Sequence, residues 1–319
     1  MFRRWLSNFF KNNKEKIIKF IKIFGILLLV GIAFAYSFGN IIDKNNSENE
    51  NVETTVYRPS ETVISGSNIE KEDYKKEENL VKTFVDYCNN KKIEEAYSLL
   101  TDECKQKMYP NIETFEKNYY DVIFTQKREC NLQSWISEDN YNTYKVTFIQ
   151  DIMATGSYDN VEKFEDYITI VTKDNEQKIN VNSYIKSKEI NKTTKIEELE
   201  VVAKSVDIYM NSIKYYLEVS NSSQNTILLD NNLNNSMNIK LIGSNNAEYK
   251  IDNVNLSLVD LVIYKNTQNK KIELKFKKQY GSSVEGKEIK FKKTIFNREE
   301  YLKDIDNYNN YKEVTIELY

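Results

Sequence analysis

The feature that most limits what this chain can become is the run at residues 23–42, IFGILLLVGIAFAYSFGNII, which carries no charge. A helix rising ~1.5 Å per residue would carry such a run across a ~30 Å hydrocarbon layer. Residues 1–22 hold Arg3, Arg4, Lys11, Lys14, Lys16, Lys19 and Lys22 against the single acid Glu15. The other flank is mostly acidic, with Asp43, Glu48, Glu50 and Glu53. The positive-inside rule then predicts a single-pass protein in the cell membrane, its basic tail cytoplasmic and everything after residue 42 extracytoplasmic. The competing reading is a cleaved signal peptide, because Ala33-Phe34-Ala35 has the small-x-small form of a cleavage site. Against it stand the long basic lead and the apolar residues Tyr36, Phe38, Ile41 and Ile42 beyond that site.

Composition narrows the chemistry. The 319 residues include no histidine, so histidine-based acid-base, nucleophilic and metal chemistry is excluded. Only 8 glycines occur, and neither a GxGxxG nor a GxxxxGK[ST] phosphate loop is present. With a formal charge of -3 the chain has no global field to hold nucleic acid. No cofactor is expected. Cys88, Cys104 and Cys130 show no CxxC spacing and are too few for a disulfide framework; they read as small core residues. Abundant Asn, Lys, Ile, Tyr and Glu fit AT-rich codons and a low-GC bacterial source.

Residues 43–68 are polar, acidic and without period, which predicts a flexible linker. From Ile69 apolar residues recur at helical steps: Tyr74, Leu80, Val81, Phe84, Val85 and Cys88, then Ile93, Ala96, Tyr97, Leu99 and Leu100. Thr101-Asp102 and Asn111 read as the starts of two more helices. After Cys130 the period becomes two, through Leu132–Ile136, Tyr144–Phe148, Phe164–Ile170 and Ile179–Val181. Helices followed by a four-stranded antiparallel meander make an α+β domain over residues 69–190. Residues 184–200 (KSKEINKTTKIEELE at their centre) read as a polar interdomain connection. Short alternating runs then fill residues 198–319, from Val201–Met210 to Val314–Leu318, with Leu256–Tyr264 among them. They predict an all-β immunoglobulin-like sandwich.

The stretch ENLVKTFVDYCNNKKIEEAYSLLTDECKQKMYPNIETFEKNYY, with the meander behind it, resembles the nuclear-transport-factor-like, cone-shaped α+β fold of Gram-positive envelope proteins. That family includes enzymes, small-molecule binders, domains of teicoplanin-resistance-associated membrane proteins, and single-pass subunits of conjugation machines. The resemblance implies a concave pocket, here lined by Phe84, Tyr119, Trp135, Tyr144, Phe148 and Tyr167, unless those rings fill a core. Asp151 or Asp166 would serve as a general base if its strand aims it inward. In the last domain Lys275, Lys277, Lys290 and Lys292 alternate with apolar residues and would present a cationic face to anionic wall polymers or lipid headgroups. The expectation is therefore a non-enzymatic membrane protein that binds or scaffolds another envelope protein or a wall polymer. The alternatives are a subunit of a conjugation or secretion machine, and a small-molecule sensor or isomerase-like enzyme.

Overall fold

The computed structural model describes residues 62–64, 67–138, 140–150, 162–231, 238–252, 256–278 and 286–319. The expected membrane helix at 23–42, most of the linker and Asp151 lie outside them. No helix among the described residues is long and apolar enough to cross a membrane. Arg58–Tyr319 form one compact unit, an α+β arrangement with several antiparallel sheets.

Helix α1 (Lys71–Asn89) buries Tyr74, Glu77, Val81, Phe84, Val85 and Cys88, a stripe at three- and four-residue steps, and has Glu72 and Asp73 at its positive end. It stops where Lys91 takes a left-handed φ of 57°. After α2 (Ile93–Ser98), helix α3 (Asp102–Met108) is capped by Thr101, whose hydroxyl accepts from Cys104 N at 3.0 Å. Asn111 caps α4 (Ile112–Phe115) in the same way, accepting from Thr114 N at 2.8 Å. A π-helical turn, Glu116–Tyr120, then leads into α5 (Asp121–Ile123). Tyr119 and Tyr120 are both buried there, although they are consecutive in sequence.

Strands β1 (Arg128–Glu138), β2 (Tyr141–Gln150), β3 (Lys163–Lys173) and β4 (Glu176–Asn180) form the expected meander in the order β1-β2-β3-β4. One face packs Leu132, Tyr144, Val146, Phe148, Ile168, Ile170 and Ile179 into a single core with the helices. The outer edge of β1 is occupied at both ends. The Asn89 side chain brackets Arg128, donating to its carbonyl and accepting from its N–H, each at 2.8 Å. Further along, a bulge between Ser134 and Ile136 lets two successive carbonyls face outward. Val63 N reaches Ser134 O at 3.2 Å and Ile64 N reaches Trp135 O at 3.0 Å, so the last residues of the expected flexible linker are docked on the sheet. On the opposite edge Thr101 N donates to Ile179 O, and Ile179 N to Leu99 O, both at 3.0 Å.

The stretch expected as a connection is instead strand β5 (Tyr184–Ile196). Its polar composition reflects an edge position: Ile190 and Ile196 pack on the second core while Lys, Glu and Thr face water. It joins β6 (Leu199–Tyr209), β7 (Ser212–Asn221) and β12 (Thr267–Lys277) in the order β12-β7-β6-β5. A second sheet, β10-β9-β13-β14, combines β9 (Ile239–Gly243), β10 (Glu248–Lys250), β13 (Gly286–Thr294) and β14 (Lys312–Glu317). The two sheets share one core. A small pair, β8 (Ile227–Leu228) with β11 (Val262–Ile263), completes it.

Two expectations change here. The immunoglobulin order puts the second and third strands in opposite sheets, whereas β5, β6 and β7 run consecutively in one sheet. The segment Leu256–Tyr264 is not one strand. Ser257 and Asp260 form a capping box that starts helix α6 (Leu258–Leu261) before β11. A further short helix, α7 (Arg298–Tyr301), precedes β14.

The strand pairing also brings the backbone of Gly286 against the side chains of Tyr215 and Leu241. A Cβ placed on Gly286 would overlap the Tyr215 hydroxyl and lie 2.6 Å from Leu241 Cδ1. Gly286→Ala is expected to lower unfolding stability by ~1–3 kcal/mol through overpacking, measured by urea denaturation.

Candidate functional site

The aromatic residues proposed for a pocket do not line a common space. Phe84, Tyr119, Tyr144 and Phe148 are buried in the core between helices and sheet. Phe84 touches the rings of Phe115, Tyr119 and Phe124 at centroid distances of 6.3, 6.1 and 6.4 Å, and Phe124 in turn meets Phe148 at 5.6 Å. Such edge and tilted contacts are those of a filled interior. Trp135 and Tyr167 lie on the other face of the sheet, in contact with each other at 5.4 Å. Strand parity separates them, because side chains at odd and even offsets leave opposite faces. They pack there beside a small cluster of Ile136, Ile185 and Met210.

Asp166 points inward, between Phe164 and Ile168 on β3, and is 6% exposed. Its Oδ1 accepts from Tyr167 N at 2.7 Å and Ser183 N at 2.9 Å; its Oδ2 accepts from the Tyr119 hydroxyl and from Asn182 N, both at 2.8 Å. Burial raises its pKa against the pull of these four donors. Both oxygens are saturated, so no lone pair remains for a substrate proton. The carboxylate organises structure.

A second buried carboxylate has no counterpart in the sequence expectations. Glu77, on the apolar stripe of α1, is 2% exposed. It accepts from Asn142 Nδ2 at 2.9 and 3.0 Å and from the Tyr144 hydroxyl, with Gln177 Nε2 at 3.5 Å. These bonds tie α1 to β2 and β4. The signal was positional: Glu77 falls three residues after Tyr74 and four before Val81, where a solvated glutamate has no place. Burial pushes its pKa above the ordinary glutamate range, and the negative charge of Asp73 adds to that.

A third acid, Asp207 on β6, is buried and pairs with Lys107 of α3 at 3.1 Å and with the Tyr216 hydroxyl at 2.6 Å. The Lys107 ammonium also lies 4.9 Å from the Tyr216 ring centre. The group fastens the helices to the second core.

The four lysines proposed as a cationic face divide between two sheets, and each has an acidic neighbour. Lys275 and Lys277 on β12 lie 3.9 and 3.8 Å from Asp252. On β13, Lys290 meets Glu288 at 3.4 Å and Glu313 at 3.5 Å, and Lys292 meets Glu248 at 3.2 Å. Their positive field is thereby reduced. Cys88, Cys104 and Cys130 are free thiols, and burial raises the pKa of each, that of Cys130 to about 11. A thiol held so far from thiolate is a poor nucleophile. Among the described residues no cluster of three acids or cysteines is arranged to hold a metal ion.

No family model, no curated protein and no solved structure matches the chain.

The raised pKa of Glu77 has a defined consequence for stability. A carboxyl whose folded pKa exceeds its unfolded value stabilises the fold below the unfolded pKa, and that contribution is lost as pH rises through the folded pKa. Glu77→Gln removes the ionisation and keeps an acceptor for Tyr144. The variant is expected to gain stability relative to the natural chain between pH 4 and pH 7, measured by urea unfolding across that window. A constant difference over the window would show that Glu77 titrates as it does in the unfolded chain.

Proposed function

We propose that the chain is a single-pass protein of the cell membrane, without enzymatic activity, whose extracytoplasmic part binds or scaffolds another component of the envelope. The observation that carries this reading is the charge asymmetry across the uncharged run 23–42, basic before it and mostly acidic after it. A folded unit with two large apolar cores follows it in the sequence.

Two features support a binding or scaffold role. The inward carboxylates Glu77 and Asp166 are consumed by structural hydrogen bonds, and the aromatic rings on the helix side of the first sheet pack against one another. In the same reading, residues 69–180 form a nuclear-transport-factor-like module and residues 184–319, from β5 onward, a sandwich module. Helices packed on one face of a β1-β2-β3-β4 meander support the first, and two four-stranded sheets around one core support the second. Fold alone does not fix function, and the partner is left as an envelope protein or wall polymer.

The test is thiol accessibility of the full chain in intact bacterial cells. Ser7→Cys and Ser47→Cys are introduced separately, with Cys130→Ser to lower the background. A membrane-impermeant maleimide is expected to label residue 47 in intact cells and residue 7 only after lysis, with the protein in the membrane fraction. Labelling of both sites only after lysis, or recovery of the chain in the soluble fraction, overturns the reading.

A further inference from the structure

The sandwich contains an open cleft where three neighbouring strands end together. It lies at the β5-β6 turn, the end of β7 and the start of β12, and has a volume of about 410 Å³. That volume falls at the small end of the ~300–1,000 Å³ of small-molecule sites, and it is far more than a bare cation fills.

The side chains that face it are almost all polar but are not basic. Glu198 and Glu200 bring carboxylates, and Asn266 and Gln268 bring amides, while the Ser220 hydroxyl already accepts from Asn269 N at 2.9 Å. Planar carboxylate and amide groups present two polar atoms at the spacing of neighbouring ring hydroxyls. A hydroxyl both donates and accepts, and this set offers both functions. Glu200 is held by Lys195 at 2.7 Å, whereas Glu198 is exposed at the turn. Acids at the rim disfavour a polyanion, and so the ligand chemistry they suit is neutral and rich in hydroxyls.

The walls are fixed in advance. Asn221, 1% exposed, donates through Nδ2 to the carbonyls of Asn225 at 2.8 Å and of Ile263 and Tyr264 at 3.2 Å. Its Oδ1 accepts from Ser223 N at 2.9 Å and from the Ser223 hydroxyl at 2.7 Å. One buried amide thus holds the loops on two sides of the cleft, which lowers the ordering cost of binding. Tyr264, two residues before Asn266, is 59% exposed and adds an aromatic side chain to the same loop.

We propose that this cleft binds a short segment of neutral oligosaccharide. The proposal deepens the reading of the chain as an envelope-binding protein and rests on it for the source of the sugar.

The test is a calorimetric titration of the full chain, in a detergent without a sugar headgroup, with N-acetylglucosamine trimer and with cellotriose. At least one is expected to bind saturably at millimolar or lower concentration. Glu198→Ala and Gln268→Ala should each weaken that binding by roughly tenfold, the loss expected for one hydrogen-bonding partner, with unchanged melting temperature. Absence of saturable binding by both sugars overturns the proposal, as does binding that neither variant alters. Stabilisation by calcium alone, lost in Glu198→Ala while sugars have no effect, also overturns it, in favour of a cation site. The thiol labelling in intact cells reads the membrane address independently, so a failure there leaves the titration result standing.

Discussion

Asp166 sits in the interior with a donor on every side, and the path of the chain depends on those four bonds. Two of the donors are the N–H groups of Asn182 and Ser183, whose φ values of 57° and 62° are left-handed. Residues other than glycine pay ~1–2 kcal/mol each for that conformation. A buried carboxylate that binds both N–H groups offsets the cost. The third partner, the Tyr119 hydroxyl, brings in the helical layer, and the fourth, Tyr167 N, is on the same strand. From this turn the chain enters β5, and Met210 N bonds back to Ser183 O at 2.9 Å. The carboxylate thus fixes the corner at which one core hands over to the next.

The outer edges of the sheets receive a consistent treatment. An unpaired strand edge is a template for other chains. In the meander, Asn89, Val63 and Ile64 occupy β1, and the 99–101 segment occupies β4. In the two sheets around the second core, Ile251 bridges to Phe276, and Lys192 and Lys312 reach across to Glu317 and Glu197.

Much of this was legible in the sequence, and for identifiable reasons. Thr101 and Asn111 announced helix starts because their side chains have one dominant use before a helical stripe. The meander showed itself through period-two alternation. What failed to show was set by tertiary context. β5 is an edge strand with few apolar residues, so it carried no periodic signal. The Leu256–Tyr264 strand was overridden by the Ser257–Asp260 capping box, a local signal that a purely hydrophobic reading passes over. The pocket grouped aromatic residues by type, although parity on β1 and β3 already sends Trp135 and Tyr167 to the face opposite Asp166 and Ile168. Glu77 was visible as an acid on an apolar stripe, but its partners Asn142 and Gln177 are 65 and 100 residues away.

The role given to Asp166 is open to a direct measurement: amide hydrogen exchange at Tyr167, Asn182 and Ser183 in Asp166→Asn compared with the natural chain. The substitution keeps the shape, and it replaces one saturated carboxylate oxygen by an NH2 group that faces N–H donors. If this carboxylate holds the corner, the amides of Asn182 and Ser183 should exchange at least ~tenfold faster, while those in the middle of β6 and β7 change less. Unchanged exchange at Asn182 and Ser183 would contradict the account and place the stability of the corner elsewhere.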